Sequence, residues 1–459
     1  MIESLESGAR LLLGIGAVFF TGLGPLALVS PSRGARPRGE LLALSFGLGA
    51  LFITLWMLAL TALERPFTLV GATLPPVLGS AAALGVSLWG RRGPASAPPR
   101  QAEALAGLDW LGLGLLGLIL LFACLRAVIY PVWAWDALAT WGFKAKVFFH
   151  RQSIDLAGFE AHNYYPNLVP LLLTYLYLWL GQVNDHLVKA VFPLWGALLL
   201  LLLHHLGLRM GLSRRQALFL TAFFAANGTV FIEHLFIAYA DLPLAYYTLG
   251  GAGLVFLWLA GAAPPGSMPL AALMLAGMSW CKYEGPPLAG TILLAGFLTL
   301  LRLRPPGLLR RLGALAGLAG GIALGLWPWR LFLAGRGIQV GIDHVFAFYP
   351  SQLWQALPMV LATLLNPKDF GILWPVWVIA LAVGGRSLWH SPRLFLILFV
   401  GGNLAAILLA YALAPTSAAE FPLYVRATID RLLLHLTPVA ALLAAQVLNP
   451  LNSPPDPAG

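Results

Sequence analysis

Long apolar runs follow one another along almost the whole chain, and only short charged or proline-rich breaks separate them. A helix needs roughly 20 apolar residues to cross the hydrocarbon core of a bilayer. The pattern therefore predicts an all-α polytopic membrane protein with about 13 transmembrane helices. The predicted spans cover residues 10–30, 41–62, 67–89, 108–129, 187–207, 216–236, 243–261, 269–281, 286–302, 311–329, 370–384, 394–413 and 432–448. Two of them, 269–281 and 370–384, are short for a crossing and require a tilt, local thinning or a break.

The composition narrows the class of protein. Hydrophobic residues make up 59% of the 459 positions, charged residues make up 10%, and the mean hydropathy is +0.82, which excludes a water-soluble protein. Cys124 and Cys281 lie in or beside apolar runs, which excludes a disulfide scaffold and a zinc-ligand pattern. The expected organisation is a three-helix membrane segment over 1–106, a second membrane domain over 107–450 and a disordered tail over 451–459.

The basic residues indicate the orientation in the membrane. Their excess gives a formal net charge of +10, but they are spread over short loops, which membrane topology explains better than nucleic-acid binding. If short basic loops stay inside, the N-terminus is outside and the C-terminus inside. The inner loops carry Arg33, Arg36 and Arg38; Arg91, Arg92 and Arg100; Arg209, Arg214 and Arg215; Arg302, Arg304, Arg310 and Arg311; and Arg386 and Arg393.

One apolar segment, 166–181, does not fit as a span. Counting it would move Arg214 and Arg215 to the outside. We therefore predict that it lies at the outer interface, where Tyr175, Tyr177 and Trp179 would face lipid headgroups.

The same topology, which rests on the basic loops alone, places the later acidic residues in outer loops or at outer helix ends. Their distribution predicts that polar chemistry takes place at the outer face. The residues are Asp136, Asp155, Glu160, Asp185, Glu233, Asp241, Glu284, Asp343, Asp369, Glu420 and Asp430.

Asp136 directly follows a predicted span, in "YPVWAWDALATWGFKAK". A carboxylate at this depth is costly if it faces lipid, so we expect it to face a wet cavity. The structural alternative is a helix N-cap before "ALATW", and the two roles are compatible.

The loop after Asp136 supplies further candidates. Lys144 could hold a phosphate as a point charge, or could simply extend to lipid headgroups. His162 and Tyr165, in "HNYYPNL", could hydrogen-bond a sugar, although a single loop histidine is more often only solvated.

Two later outer turns carry charged residues. Asp241 precedes "LP" at the start of a span, where helix capping is the alternative to a functional role. In "SWCKYEGPPLAG", Lys282 and Glu284 flank a tight turn between apolar helices. They either pair with each other, or Lys282 faces the cavity of Asp136.

The last span begins with a second basic group. Arg431 and His435 are one helical turn apart, so they share a face. An arginine at a cavity mouth can clamp a phosphate, and its structural alternatives are ion pairs with Asp430 or Asp343.

Together these motifs resemble those of the GT-C membrane glycosyltransferases, of the protein O-mannosyltransferase and lipid A aminoarabinose transferase types. The resemblance covers about 108–448. It rests on the acid after a span in the first large outer loop, the later "YxP", "YADLPLAYY", "CKYEGPPLAG", "WPWRLFLAG" and "RLLLHLTPVAALLAA".

The resemblance implies transfer of a sugar from a polyprenyl-phosphate donor to a lipid, glycan or protein acceptor. It implies a bacterial inner membrane with the active site facing outside. By motif match, Asp136 corresponds to the acid of the family's first outer loop and Asp241 to the acid of its second. Lys282 corresponds to the lysine of the family's "TKG" segment. The chain differs from the aminoarabinose transferases at their "EKP" motif, where it has Tyr164, Tyr165 and Pro166, so Glu160 or His162 would have to replace the acidic residue.

The hypothesis is therefore an inverting transferase in which Asp136 is the general base. Lys282, Arg431 and Lys144 would hold the phosphate, and Asp241 would orient the sugar or acceptor. Some such enzymes bind a divalent cation, but Asp136 and Asp241 are too few ligands to predict one. The rival hypotheses are a transporter or flippase of lipid-linked saccharides, and an assembly subunit without activity.

Overall fold

The computed structural model describes residues 2–30, 36–90, 107–159, 162–339 and 347–449, and this part of the chain is helical without strands. Its α-helices are α1 (Ile2–Val29), α2 (Arg38–Ala62), α3 (Leu69–Gly90), α4 (Gly107–Ile129), α5 (Phe143–Arg151), α6 (Leu168–Leu180), α7 (Asp185–Val188), α8 (Val191–Arg209), α9 (Arg214–Ala226), α10 (Thr229–His234), α11 (Asp241–Leu259), α12 (Ser267–Cys281), α13 (Gly285–Leu303), α14 (Leu308–Gly317), α15 (Ala319–Gly335), α16 (Pro350–Leu364), α17 (Pro367–Phe370), α18 (Leu373–Trp389), α19 (Arg393–Ala412), α20 (Phe421–Leu434) and α21 (Thr437–Leu448).

Within the described ranges, nine helices are long and apolar enough to cross a membrane, and a tenth crossing is possible if α20 and α21 form one span bent by 49°. All nine coincide with predicted spans. The predicted number of 13 is not confirmed. Of the remaining predictions, 269–281 and 370–384 correspond to helices of 15 and 17 residues, and 216–236 is interrupted between α9 and α10.

The segment predicted to lie at the outer interface forms α6, which is packed among other helices of the protein. Helix α6 lies against α1, α2 and α5. Tyr175 and Tyr177 are fully buried. The Tyr175 hydroxyl accepts a hydrogen bond from Thr73, and the Tyr177 hydroxyl donates one to Asp185 at 2.7 Å. The predicted exposure of these tyrosines to headgroups was wrong, because α6 is apolar on every face and is better buried against other helices.

The N-terminal helices contact the rest of the bundle closely. The Tyr247 hydroxyl of α11 donates to the Gly47 carbonyl of α2 at 2.6 Å. The Trp280 indole of α12 donates to the Thr54 hydroxyl at 2.9 Å. Helix α2 therefore helps to position the two helices that lead to Asp241 and Lys282, while the domain boundary at 106 stays a prediction.

A buried ion network joins elements from the predicted inner side. Glu40 pairs with Arg36, and it also pairs with Arg209 at the end of α8 at 2.6 Å. Arg36 donates to the Ser267 hydroxyl at the start of α12 at 3.0 Å. These charges compensate one another, as buried charges must. The opposite ends of the same helices lead to the loops that are predicted to lie outside.

Helices α1 and α2 cross at glycines, and we expect Gly49→Val to disrupt this crossing. A Cβ at Gly49 would lie 1.8 Å from the backbone oxygen of Val18, and backbone cannot move aside as a side chain can. Overpacking of this kind costs about 1–3 kcal/mol, or more. Thermal unfolding in detergent, followed by tryptophan fluorescence, should therefore show a clear loss of stability. Gly79→Ala in α3 is the control, since its added Cβ meets no atom within 4 Å, and equal loss in both variants would contradict the prediction.

Candidate functional site

Asp136 forms an ion pair with Arg431, which lies 295 residues later in the sequence. Asp136 precedes a π-helical turn over Ala137–Gly142 that continues into α5, and its side chain makes no capping bond. The N-cap interpretation is therefore wrong. A π-turn re-aims side chains within a helix and is frequent at functional sites. About a third of the Asp136 side chain is exposed, against 15% of Arg431, so a molecule entering from outside can reach the carboxylate.

Tyr239 holds both members of this pair. Its hydroxyl accepts a hydrogen bond from the Asp136 backbone N–H at 3.4 Å, and the Arg431 guanidinium lies 5.3 Å from its ring centre. The preceding residue, Ala238, is buried in the left-handed region at φ 65°. An alanine in this region is strained and persists only where the surrounding structure holds it in place. The turn before α11 is therefore held in a strained shape that presents Tyr239 to the ion pair.

Asp241, Lys282 and His435 form a second, buried group next to the first. The Lys282 ammonium lies 2.8 Å from Asp241 Oδ1, and His435 Nε2 lies 3.0 Å from the same oxygen. All three side chains are at least 94% buried. Asp241 also begins α11, where the helix dipole favours a negative charge. Its other oxygen, Oδ2, has no hydrogen-bond partner among the described residues.

Glu284 extends this group towards the surface. Lys282 lies in extended conformation between α12 and α13. Its ammonium lies 3.0 Å from Glu284 Oε1, and 30% of the glutamate side chain is exposed. The predicted pairing of Lys282 with Glu284 is therefore observed, and Lys282 contacts Asp241 in addition, where the other alternative placed it beside Asp136.

Aromatic rings cover one side of the charged group. Tyr165 stacks on Tyr283, with ring centres 5.6 Å apart and planes 13° from parallel. The His162 ring lies 4.6 Å from Tyr165, and Tyr164 meets Tyr283 edge-on at 5.3 Å. Burial and the nearby Glu284 carboxylate raise the pKa of Tyr165 well above its usual value, so its hydroxyl stays a hydrogen-bond donor at neutral pH. Flat rings with a polar edge suit a sugar ring.

Lys144 does not belong to the charged group. Its ammonium is fully buried and donates to the His162 carbonyl oxygen at 2.6 Å. Burial lowers the pKa of Lys144 to about 7, so a substantial fraction is uncharged at neutral pH. A lysine in this state is a poor permanent holder of a phosphate. We infer that Lys144 positions the loop that carries His162 and Tyr165.

The arrangement does not fit a divalent cation. Within the described part of the chain, no three His, Cys, Asp or Glu side chains are close enough to hold one. Asp136 and Asp241 each contact a cationic side chain instead. Their charge is compensated from within the protein, so we assign no step to a metal. Glu160 and Asp343, which the sequence also suggested, lie outside the described residues.

Of the residues predicted from sequence, six come together: Asp136, Asp241, Lys282, Glu284, Arg431 and His435. Arg431 and His435 share a helix face as predicted, and each contacts a different aspartate. Tyr239 and Tyr283 were not predicted from the sequence. Each lies within two residues of a predicted charged residue, which is the signal that could have identified them.

No family model, no curated protein and no solved structure matches the chain.

Proposed function

We propose that the protein is a membrane glycosyltransferase of the GT-C type. It would move a sugar from a polyprenyl-phosphate donor to an acceptor hydroxyl at the outer face of a bacterial inner membrane. The observation that carries the proposal is the convergence of Asp136, Asp241, Lys282, Arg431 and His435, from four distant parts of the chain, next to stacked tyrosines. Intramembrane ionisable groups are expensive and generally functional.

The proposed reaction needs two kinds of group. The leaving group is already a phosphate, so it needs no proton, but its charge must be held. The acceptor hydroxyl must lose a proton to a base. The acceptor oxygen then bonds to the anomeric carbon, and the carbon–oxygen bond to the phosphate breaks. The bonding electron pair leaves with the polyprenyl phosphate. A single displacement of this kind inverts the anomeric carbon.

The Asp136–Arg431 pair can supply both groups through an exchange of partners. While it is paired with Arg431, the Asp136 carboxylate is held by the guanidinium and is not free to contact an acceptor hydroxyl. A donor phosphate offers Arg431 a charge-assisted, bidentate alternative. We propose that donor binding draws Arg431 to the phosphate and frees Asp136 to accept the proton. The base would then become active only when donor is present.

The buried group would hold this arrangement in place. Lys282 already contacts Asp241 and Glu284, so its role is to fix these carboxylates and to add positive potential to the site. It would contact the phosphate less directly than the sequence hypothesis proposed. His435, one turn from Arg431, ties α20 to Asp241. Glu284 Oε2 is buried and has no hydrogen-bond partner among the described residues.

The direct test is release of the lipid phosphate. Purified protein in detergent would be mixed with a panel of radiolabelled polyprenyl-phosphate sugars and a membrane extract that supplies acceptors. We expect one donor to yield free polyprenyl phosphate and a labelled product, both dependent on the protein. Absence of release from every donor, with folded protein, would count against transfer.

A transporter or flippase of lipid-linked saccharides is the second candidate. One observation favours it: α20 and α21 bend by 49° next to the buried Asp241–His435 contact, and transporters often place binding sites at broken helices. In proteoliposomes, a flippase would move the labelled lipid across the bilayer without cleaving it. Movement without cleavage would support transport, cleavage would support transfer, and neither would favour an assembly subunit.

A further inference from the structure

A small cavity is lined by Tyr283, whose ring stacks on Tyr165. Its volume is about 140 Å³, well above the space that a single water needs. This size suits a small polar head group. The walls come from the loop before α6 and from the outer parts of α13 and α15. They are formed by Tyr164, Pro166, Tyr283, Pro286, Pro287, Leu326, Trp329 and Arg330.

Arg330 is the charged residue of this cavity. It is half-buried, and it makes no ion pair or hydrogen bond with any other described residue. Glu284 is the acidic residue closest in sequence to the wall residues Tyr283 and Pro286. It is already paired with Lys282. A guanidinium partly withdrawn from water among apolar and aromatic side chains is favoured by an anionic partner. Within the described part of the chain, no carboxylate pairs with Arg330.

The surroundings indicate where the partner comes from. Pro287 lines the cavity and is exposed, so the cavity reaches the protein surface between α13 and α15. Below this point both helices expose large apolar side chains, Leu294 and Phe297 on α13 and Trp327 on α15. These side chains face hydrocarbon in a membrane. A molecule with a small anionic head and an apolar tail fits both features.

We infer that this cavity binds the phosphate group of a membrane lipid, with the phosphate on Arg330 and the tail along the α13–α15 surface. Arginine pairs with phosphate bidentately, which favours phosphate over a simple point-charge contact. The site is separate from the Asp136–Arg431 pair. It adds a second position for a lipid-linked phosphate beside the candidate active site, and its occupancy can be measured without any turnover.

The test measures binding of short-chain lipids to the full-length protein in an uncharged detergent. Dioctanoyl phosphatidic acid is expected to bind saturably, and dioctanoylglycerol, which lacks the phosphate, is not. Arg330→Gln should weaken the phosphatidic acid affinity by about tenfold or more, because a hydrogen bond to a charged group is lost. Arg336→Gln is the matched control, since this exposed arginine ends the same helix outside the cavity.

Two further arms keep the inference open to refutation. Leu326→Trp, which fills the cavity while leaving Arg330 in place, should also weaken binding. Inorganic phosphate should compete only poorly. Equal affinity in the wild type and Arg330→Gln, equal binding of dioctanoylglycerol, or full competition by inorganic phosphate would each overturn a lipid phosphate site here. Loss of binding in Arg336→Gln as strong as in Arg330→Gln would overturn it as well, by showing only general charge attraction.

Discussion

Replacing Asp136 by asparagine is expected to lower sugar transfer by about 10²–10⁴-fold, because that is the usual contribution of a general base. The amide keeps the shape of the side chain and can still accept a hydrogen bond from Arg431. The fold should therefore survive, and the loss should appear in kcat more than in donor binding. The measurement is polyprenyl phosphate release under saturating donor, together with far-UV circular dichroism and thermal unfolding of the same preparation.

Asp155→Asn provides the matched control. Asp155 is another acid of the loop between α4 and α6, and it is paired with the exposed Arg151. Its replacement should leave transfer unchanged. If Asp136→Asn transfers sugar at the normal rate, Asp136 is not the base, and the partner exchange with Arg431 has no role. If both variants lose activity equally, the effect belongs to the loop and not to the carboxylate.

Lys282→Met is expected to destabilise the protein by about 3–5 kcal/mol, the usual consequence of removing one partner from a buried ion pair. The reason is that Asp241 is fully buried and would keep only His435 as a partner on its Oδ1. The apparent melting temperature in detergent, followed by tryptophan fluorescence, should fall sharply. Lys368→Met, at an exposed lysine without an ion pair among the described residues, should have little effect.

The double variant Asp241→Asn with Lys282→Met identifies the cause. Removing the second charge takes away the uncompensated carboxylate, so much of the lost stability should return although the ion pair is still absent. Stability that stays as low as in Lys282→Met alone would show that the cost lies in packing around the lysine stem. A stable but inactive double variant would separate the structural role of the pair from its part in catalysis.

The sequence by itself determined the class of protein and the places where chemistry could occur. Bilayer thickness fixes the length of an apolar run, so nine predicted spans coincide with long helices. The cost of charge in hydrocarbon makes each retained ionisable residue conspicuous, which is why Asp136, Asp241 and Lys282 could be selected. Helical periodicity alone placed Arg431 and His435 on one face.

Only the tertiary structure decided which of these residues meet. Asp136 and Arg431 are 295 residues apart, and Asp241 and His435 are 194 apart. No local pattern encodes such pairs, because they depend on how whole helices pack. The same reason explains the burial of α6, whose uniformly apolar surface suits the interior as well as an interface. Local hydrophobicity sets how far a segment avoids water, and helix packing sets what it contacts instead.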